Sequence, residues 1–195
     1  MEPTESQVDS ASADRRTLLI ALAANVAMFA VGVVGWRIAQ STALLADAFD
    51  MLADATGYAV AYWAVGRSRR VQVMAARWNG SLLIALGLGV LGEVFHRWFV
   101  PGEPIGGLIM AFAVLSLAVN GSVLRMLSKY RNGADPHLRA TWVDTRADVL
   151  VNVSVLVSGA VIAWTGYRIV DLLTGAAIGL FVIREGFEIW NEASE

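Results

Sequence analysis

Six long apolar runs, separated by short polar joints, constrain this chain more than any other feature of its sequence. A helix needs about 20 consecutive, mostly apolar residues to cross the hydrocarbon core of a bilayer. The runs that meet this requirement lie at roughly 17–39, 42–66, 78–100, 105–128, 137–164 and 168–190. The sequence therefore predicts an all-α fold, a bundle of six transmembrane helices in one domain that covers residues 15–195.

The composition agrees with a membrane protein and excludes several other classes. The chain is 56% hydrophobic and 16% charged, against about 45–50% and about 25% in an ordinary soluble domain. A net charge of −2 without a basic arm excludes nucleic acid as a partner. The absence of cysteine excludes disulfides, thiolate metal sites and cysteine nucleophiles. With two histidines, His96 and His137, any metal site depends mainly on carboxylates.

The ends of the chain and its basic residues predict an orientation. Residues 1–14 are acidic, small and polar, and we expect a disordered tail. Arginine and lysine gather at the N-terminal side and in the two longer joints, "RSRRVQVMAAR" and "SKYRNGADP". The positive-inside rule then places both termini in the cytoplasm. The chain stops soon after the sixth run, so we expect no soluble C-terminal domain.

The stretch "LLADAFDMLAD", residues 44–54, places three acidic residues inside an apolar run. Such residues are rare within a membrane and usually functional, because burying a charge there costs a few kcal/mol. Asp50 and Asp54 are four residues apart and share one helix face, and Asp47 lies one turn before them on the same face.

The fifth run repeats this arrangement with Asp144 and Asp148 in "DTRAD". Asn152 extends the stripe by one turn, and His137 begins it two turns earlier near the cytoplasmic mouth, where we expect an interface residue at the helix start, with an entrance ligand as the alternative. Runs two and five are antiparallel, so if they pack together we expect Asp50 to lie level with Asp148 and Asp54 with Asp144.

Four carboxylates at one point would repel each other strongly in a medium of low dielectric constant. A divalent cation offsets that repulsion, and its binding releases protons. These two states are the ingredients of an exchange of cations for protons.

Other polar residues in the runs have more ordinary explanations. Arg146 points away from the aspartate face, so we expect structural pairing, with charge tuning of the site as the alternative. Glu93 and Arg97 are predicted to form an ion pair, and Glu93 is also kept as a pathway residue. Interhelical hydrogen bonds are expected for Asn25 and Asn120, with Asn25 kept as a second pathway candidate.

The two aspartate motifs resemble a known family. "STALLADAFDMLADA" is similar to the second transmembrane helix of the cation diffusion facilitator family, and "HLRATWVDTRADVLVNVSVLVSG" is similar to its fifth helix. The likeness continues in order through helices three, four and six. It implies a metal–proton antiporter of the bacterial inner membrane, which is not an enzyme. The metal site that it implies comprises Asp50, Asp54, Asp144 and Asp148.

The resemblance leaves the transported metal open. In many zinc-type members the first residue of each pair is histidine, whereas here both are aspartate. Asp47 matches an acidic residue common in the zinc-type subgroup and is expected to act beside the ligands, as is Asn152. We expect zinc or cadmium as the cargo, with manganese, iron and cobalt as alternatives, because all-oxygen sites suit several of these ions. No further cofactor is implied.

Three departures from the family pattern limit what it implies. The cytoplasmic C-terminal domain is expected to be absent, which weakens the implied homodimer. The joint between helices two and three lacks Gly-Tyr-Arg-x-Glu, and the next long joint has no histidine-rich stretch. Two other functions stay open: a membrane scaffold that binds metal without moving it, and an intramembrane aspartyl protease. The protease would need a motif such as Gly-x-Gly-Asp, which neither aspartate pair has.

Overall fold

The chain forms a bundle of long helices. The computed structural model describes residues 5–64, 68–128, 131 and 136–193, apart from the side chains of residues 5–15, 61, 64, 136–141, 143 and 144. The helices in these ranges are α1 Glu5–Ala39, α2 Thr42–Ala64, α3 Arg69–Phe99, α4 Gly106–Leu127, α5 Pro136–Thr165 and α6 Ile169–Glu192. The described ranges contain no β-strand, so the all-α prediction is confirmed.

Four helix segments are long and apolar enough to cross a membrane: Arg16–Ala39, Arg69–Phe99, Gly106–Leu127 and Thr145–Thr165. Helices α2 and α6 have comparable lengths, but charged side chains interrupt their apolar surfaces. In α2 these charges are Asp47, Asp50 and Asp54. The prediction of six spans is therefore supported directly for four helices and stays a prediction for α2 and α6.

Two helices begin earlier than the apolar runs predict. Helix α3 starts at Arg69 rather than near residue 78, and α1 starts at Glu5, inside the segment 1–14 that was expected to be disordered. Apolar runs identify only the part of a helix that faces hydrocarbon, so they overlook polar helical turns. Residues 69–77 contain no glycine or proline that would end a helix. Acidic residues such as Glu5 and Asp9 also favour a helix N-terminus.

Helices α3 and α6 approach each other closely through two glycine pairs. A Cβ atom on Gly80 would lie 2.6 Å from the carbonyl oxygen of Gly186, and one on Gly87 would lie 2.6 Å from that of Gly179. Small residues at such positions let two helix backbones come into direct contact inside a membrane. These contacts hold the middle and C-terminal part of α6 against the N-terminal part and middle of α3.

Three short turns meet at one end of the bundle, which we call the turn end. The amide of Ile105 donates to the carbonyl of Ala39 at 3.0 Å, and the amide of Glu103 donates to the side chain of Gln40 at 3.2 Å. The Arg168 guanidinium donates to the carbonyl of Arg97 at 3.0 Å. These bonds connect the α1–α2, α3–α4 and α5–α6 turns, so this end of the bundle is tied together.

Candidate functional site

Helix α2 places its acidic residues where the sequence predicted, on the side that faces the other helices. Asp47 and Asp50 are buried, with 1% and 2% of their surfaces exposed, and Asp54 is partly buried one turn further on. Alanine occupies positions 46, 48, 53 and 55 around them, and all four alanines are buried. Their small side chains allow neighbouring helices to come close to the carboxylates.

Helix α5 brings Asp148 to the same place. Its side chain is 4% exposed, is hydrogen-bonded to that of Asp54, and interacts electrostatically with Asp50. A contact between the Tyr58 hydroxyl and the Thr145 Oγ1, at 3.2 Å, fixes the two helices beside each other near this point. Asp148 of α5 therefore interacts with Asp50 and Asp54 of α2, and their role as joint metal ligands stays a prediction.

The fourth predicted ligand and the predicted entrance residue cannot be placed in the same way. The side chains of Asp144 and His137 lie outside the described residues, although their backbones belong to α5. Among the side chains that are described, no three histidine or acidic groups are close enough together to hold one metal ion. The complete set of four carboxylates stays a prediction.

Asp47 belongs to a separate polar network that links three helices. Its Oδ2 accepts a hydrogen bond from Ser116 of α4, and its Oδ1 accepts one from the amide of Asn152 of α5, both at 2.9 Å. The Asn152 Oδ1 accepts in turn from the amide of Asn120 at 3.4 Å. The network lies one turn from Asp50 and Asp148, in the direction of the turn end. Asp47 and Asn152 thus lie beside the candidate ligands and are hydrogen-bonded to each other.

A cavity of about 280 Å³ reaches Asp54 from the end of the bundle opposite the turn end. Its walls come from α2, α3 and α6, and three glutamates line the α6 wall. The lining residues are Ala53, Asp54, Gly57, Tyr58, Asn79, Leu83, Glu185, Glu188, Ile189 and Glu192. The cavity gives a water-sized particle a route to Asp54 from one side of the bundle.

Sequence reasoning missed Glu185, which is a residue of this cavity. Its carboxylate interacts electrostatically with both Asp50 and Asp148, so α6 contributes to the charge at the site. The signal was present in "EGFEIWNE", where Glu185, Glu188 and Glu192 recur at helical spacing. It was overlooked because these residues lie near a helix end, where charges are ordinary. The Arg184 guanidinium donates to Glu188 at 2.8 Å on the exposed side of α6.

Asp171 is a second acid that the sequence analysis did not single out, and unlike Glu185 it is buried. It is 2% exposed, near the start of α6. Its carboxylate accepts from the Thr42 amide and hydroxyl, both at 2.6 Å, from the Ser41 hydroxyl, and from the Ala43 amide at 3.3 Å. It therefore caps the N-terminus of α2 from another helix. The first turn of α2 shows no sequence signal for a partner so distant along the chain.

The remaining polar predictions have mixed outcomes. Glu93 and Arg97 form the predicted ion pair at 2.9 Å, and the interhelical hydrogen bond of Asn120 is confirmed. The prediction for Asn25 is wrong: its amide donates to the carbonyl of Ala21 in its own helix at 3.0 Å. Its buried Oδ1 has no hydrogen-bond partner among the described residues. A helix carbonyl one turn earlier was simply the nearest acceptor.

Arg146 has the structural partner that its position on α5 led us to expect. The side chain is exposed, and its guanidinium lies 5.9 Å from the centre of the Trp142 ring on the same helix. Such a contact between a cation and an aromatic face is worth about 0.5–1 kcal/mol at an exposed position. Because the Arg146 side chain lies over Trp142, its position agrees with a structural role rather than with a direct contact with the carboxylates.

The sequence from residue 18 to 195 matches the profile of the cation efflux transmembrane domain, and the chain belongs to this family. The family and the apolar helices identify it as an integral protein of the bacterial inner membrane, in a family of transporters rather than enzymes.

Several curated relatives are similar along most of this chain. A zinc transporter ZitB from Escherichia coli is 28% identical over 190 residues, which are 91% of this chain and 61% of the relative. The metal cation efflux system protein CzcD from Cupriavidus metallidurans is 28% identical over 90% of this chain and 59% of its own length. A cadmium, cobalt and zinc/H(+)-K(+) antiporter from Bacillus subtilis is 23% identical over 93% of this chain and 62% of its own length. The chain thus spans about 60% of the length of these relatives.

Proposed function

We propose that this protein exports a divalent transition-metal cation across the inner membrane in exchange for protons, with Asp50, Asp54, Asp144 and Asp148 as the metal ligands. The observation that carries the proposal is the contact of Asp54 with Asp148 at the inner end of an open cavity. It joins carboxylates from two helices at a point that an ion can reach from one side.

The direction of access follows from the cavity together with the predicted orientation. The cavity opens between the C-terminal halves of α2 and α6 and the N-terminal part of α3. Basic residues such as Arg69, Arg70 and Arg77 lie at the same end. By the positive-inside rule we infer that this end faces the cytoplasm and that both termini lie there. The turn end, tied by its hydrogen bonds, would then face outward, and the arrangement is an inward-facing one.

Exchange follows from the charge of the site. Several ionised carboxylates within a few ångströms of each other are unfavourable in a medium of low dielectric constant. A divalent cation or protons can relieve that repulsion, but the two compete for the same oxygen atoms. If metal occupies the site when it faces inward and protons replace it when it faces outward, each cycle exports one metal ion.

The metal preference rests on ligand chemistry and on the relatives. Carboxylate oxygen binds Zn²⁺ at about 2.0–2.2 Å and also suits harder ions such as Mn²⁺. The relatives are named for zinc, cadmium and cobalt, which favours zinc or cadmium here. Manganese, iron and cobalt remain the alternative cargoes.

Flux through proteoliposomes tests the proposal. The purified chain is reconstituted, a pH gradient is imposed, and uptake of Zn²⁺, Cd²⁺, Co²⁺ and Mn²⁺ is followed with a metal-sensitive dye. We expect Asp50→Ala and Asp148→Ala to lower the flux at least roughly tenfold, since removing even a residue that only supports metal ligands typically has an effect of that size. Glu103→Ala, an exposed acid at the turn end, serves as the matched control and should keep its flux.

Two outcomes would contradict the proposal. If both aspartate variants transported as well as the wild type, the site would be wrongly assigned. If the wild type bound metal but moved none of the four ions, the protein would be a membrane scaffold instead of a transporter. Equilibrium metal binding, measured by calorimetry on the same samples, separates these two cases.

A further inference from the structure

The first turns of α3 carry a basic groove on the outer surface of the bundle. It is a shallow open cavity of about 400 Å³, lined by Arg70, Val73, Met74, Arg77, Trp78 and Ser81. These positions recur at intervals of three and four residues, so they form one stripe along the helix. We call this stripe the basic groove.

The groove combines positive charge with exposed apolar surface. Met74 and Trp78 are 61% and 72% exposed, and Arg70 is exposed beside them. Among the described residues, no ion pair is present for Arg70. A stripe that combines positive charge with exposed apolar surface and faces away from the bundle is complementary to an amphiphilic anion.

Helix α6 supplies a rigid back wall. The Arg77 guanidinium lies 5.1 Å from the centre of the Trp190 ring, and the Trp190 indole donates to the Ser81 hydroxyl at 2.8 Å. The Gly80–Gly186 contact described above brings the two helices together at the same level. Arg77 is therefore held against α6, and its position does not depend on a ligand.

We propose that the basic groove binds an anionic phospholipid of the surrounding leaflet. The phosphodiester would lie between Arg70 and Arg77, which are two turns apart, and an acyl chain would lie against Met74 and Trp78. Charge complementarity selects this occupant, because cytoplasmic-leaflet lipids are anionic and basic side chains at the membrane surface attract them. A tryptophan at this level also suits the interface between headgroups and acyl chains.

Native mass spectrometry of the full chain in detergent tests the proposal. Phosphatidylglycerol and phosphatidylcholine with identical acyl chains are titrated separately, and the fraction of protein that carries one lipid is measured. We expect phosphatidylglycerol to bind the wild type more tightly. The double variant Arg70→Gln/Arg77→Gln should lose roughly tenfold or more in phosphatidylglycerol affinity, because each basic residue contributes appreciably to such binding.

Two further double variants control the experiment. Arg125→Gln/Arg131→Gln removes the same charge from another exposed basic region, where Arg131 also lies over a tryptophan ring, at 5.6 Å. It should change the lipid affinity by less than about twofold. Arg70→Lys/Arg77→Lys keeps the charge and should retain most of the binding. Thermal unfolding of each variant shows that a loss of lipid is not a loss of fold.

Three results would overturn the proposal. Equal binding of both lipids by the wild type would remove the headgroup preference. Equal losses in the two charge-removing variants would indicate a diffuse attraction without a site in the groove. A dimer that forms without lipid and dissociates in Arg70→Gln/Arg77→Gln would show that a second copy of the chain covers this face. Metal flux is not the readout, so the result is independent of the proposed transport.

Discussion

The side-chain amide of Asn152 donates a 2.9 Å hydrogen bond to the carboxylate of Asp47, which joins α5 to α2 one turn away from the candidate ligands. Ser116 of α4 donates to the other oxygen of the same carboxylate at the same distance. A buried carboxylate with two donors from two other helices sets the register of all three. Because Asp50 and Asp148 lie one turn along the same helices, this register also sets how the ligands face each other.

We predict that this network stabilises the bundle. Ser116→Ala and Asn152→Ala should each lower the free energy of unfolding by about 0.6–1.7 kcal/mol, the usual range for a hydrogen bond between membrane helices. The double variant should show coupling between the two sites, because both bind one carboxylate. The measurement is reversible unfolding in bicelles. Ser122→Ala is the control, since the Ser122 hydroxyl bonds only within its own helix, to Ala118, at an exposed position.

An absence of coupling between Ser116 and Asn152 would contradict this prediction. It would mean that Ser116 and Asn152 contribute independently of each other, and that the network does not set the register of α5 against α2. A loss in the Ser122→Ala control as large as that in Ser116→Ala would have the same consequence.

Glu185 should affect how strongly the protein attracts the metal ion from solution, and not the maximal rate of transport. We predict that Glu185→Gln raises the apparent KM for the transported ion about two- to tenfold and leaves the maximal flux nearly unchanged. The reason is that a carboxylate along the cavity wall raises the local cation concentration without having to bind the ion in the site. The effect should shrink at high ionic strength, because salt screens charges that contact water.

Proteoliposome flux at several metal concentrations and two salt concentrations measures this effect. Glu103→Gln, at the turn end, removes the same charge far from the cavity and should change neither parameter. A maximal flux that fell as strongly in Glu185→Gln as in Asp148→Asn would show instead that Glu185 is itself a ligand.

The sequence predicted the existence of the helices and the shared face of the acids on α2, because both depend on local periodicity. Apolar runs predict membrane helices, and the spacing of Asp50 and Asp54 fixes a shared face whatever the rest of the chain does. The level of α5 relative to α2 could be predicted only approximately. Asp148 interacts with Asp50, its expected partner, but its hydrogen bond is to Asp54, which we expected opposite Asp144.

The contacts that the sequence did not predict depend on distant partners. The cap of α2 by Asp171 joins residues 129 positions apart, such as Thr42 and Asp171, and neither segment specifies the other. Asn25 has the composition of an interhelical donor but finds an acceptor in its own helix. Glu185 acts on Asp50 and Asp148 because α6 packs beside α2 and α5 in the bundle. Such contacts follow from tertiary packing, which a single sequence does not determine.

Asp171 should matter for stability more than for transport. We predict that Asp171→Ala lowers the free energy of unfolding by about 1–3 kcal/mol, because it leaves the buried Ser41 hydroxyl and the Thr42 amide without the carboxylate that accepts from them. Asp171→Asn should recover part of the loss, since its amide oxygen can still accept. Thermal unfolding in detergent measures both. Normal stability of Asp171→Ala would show that α2 does not need its cap from α6.

The backbones of α3 and α6 are so close at their glycine pairs that no side chain should fit there. A Cβ on Gly87 would lie 2.6 Å from the carbonyl oxygen of Gly179, whereas a Cβ on Gly92, in the same helix, meets nothing within 4 Å. We predict that Gly87→Ala lowers the free energy of unfolding by about 1–3 kcal/mol through overpacking. Gly92→Ala should raise it by as much as ~1 kcal/mol, because alanine favours the helix. Unfolding in bicelles distinguishes the two, and equal effects of both changes would mean that helix propensity alone, and not backbone contact, decides the role of these glycines.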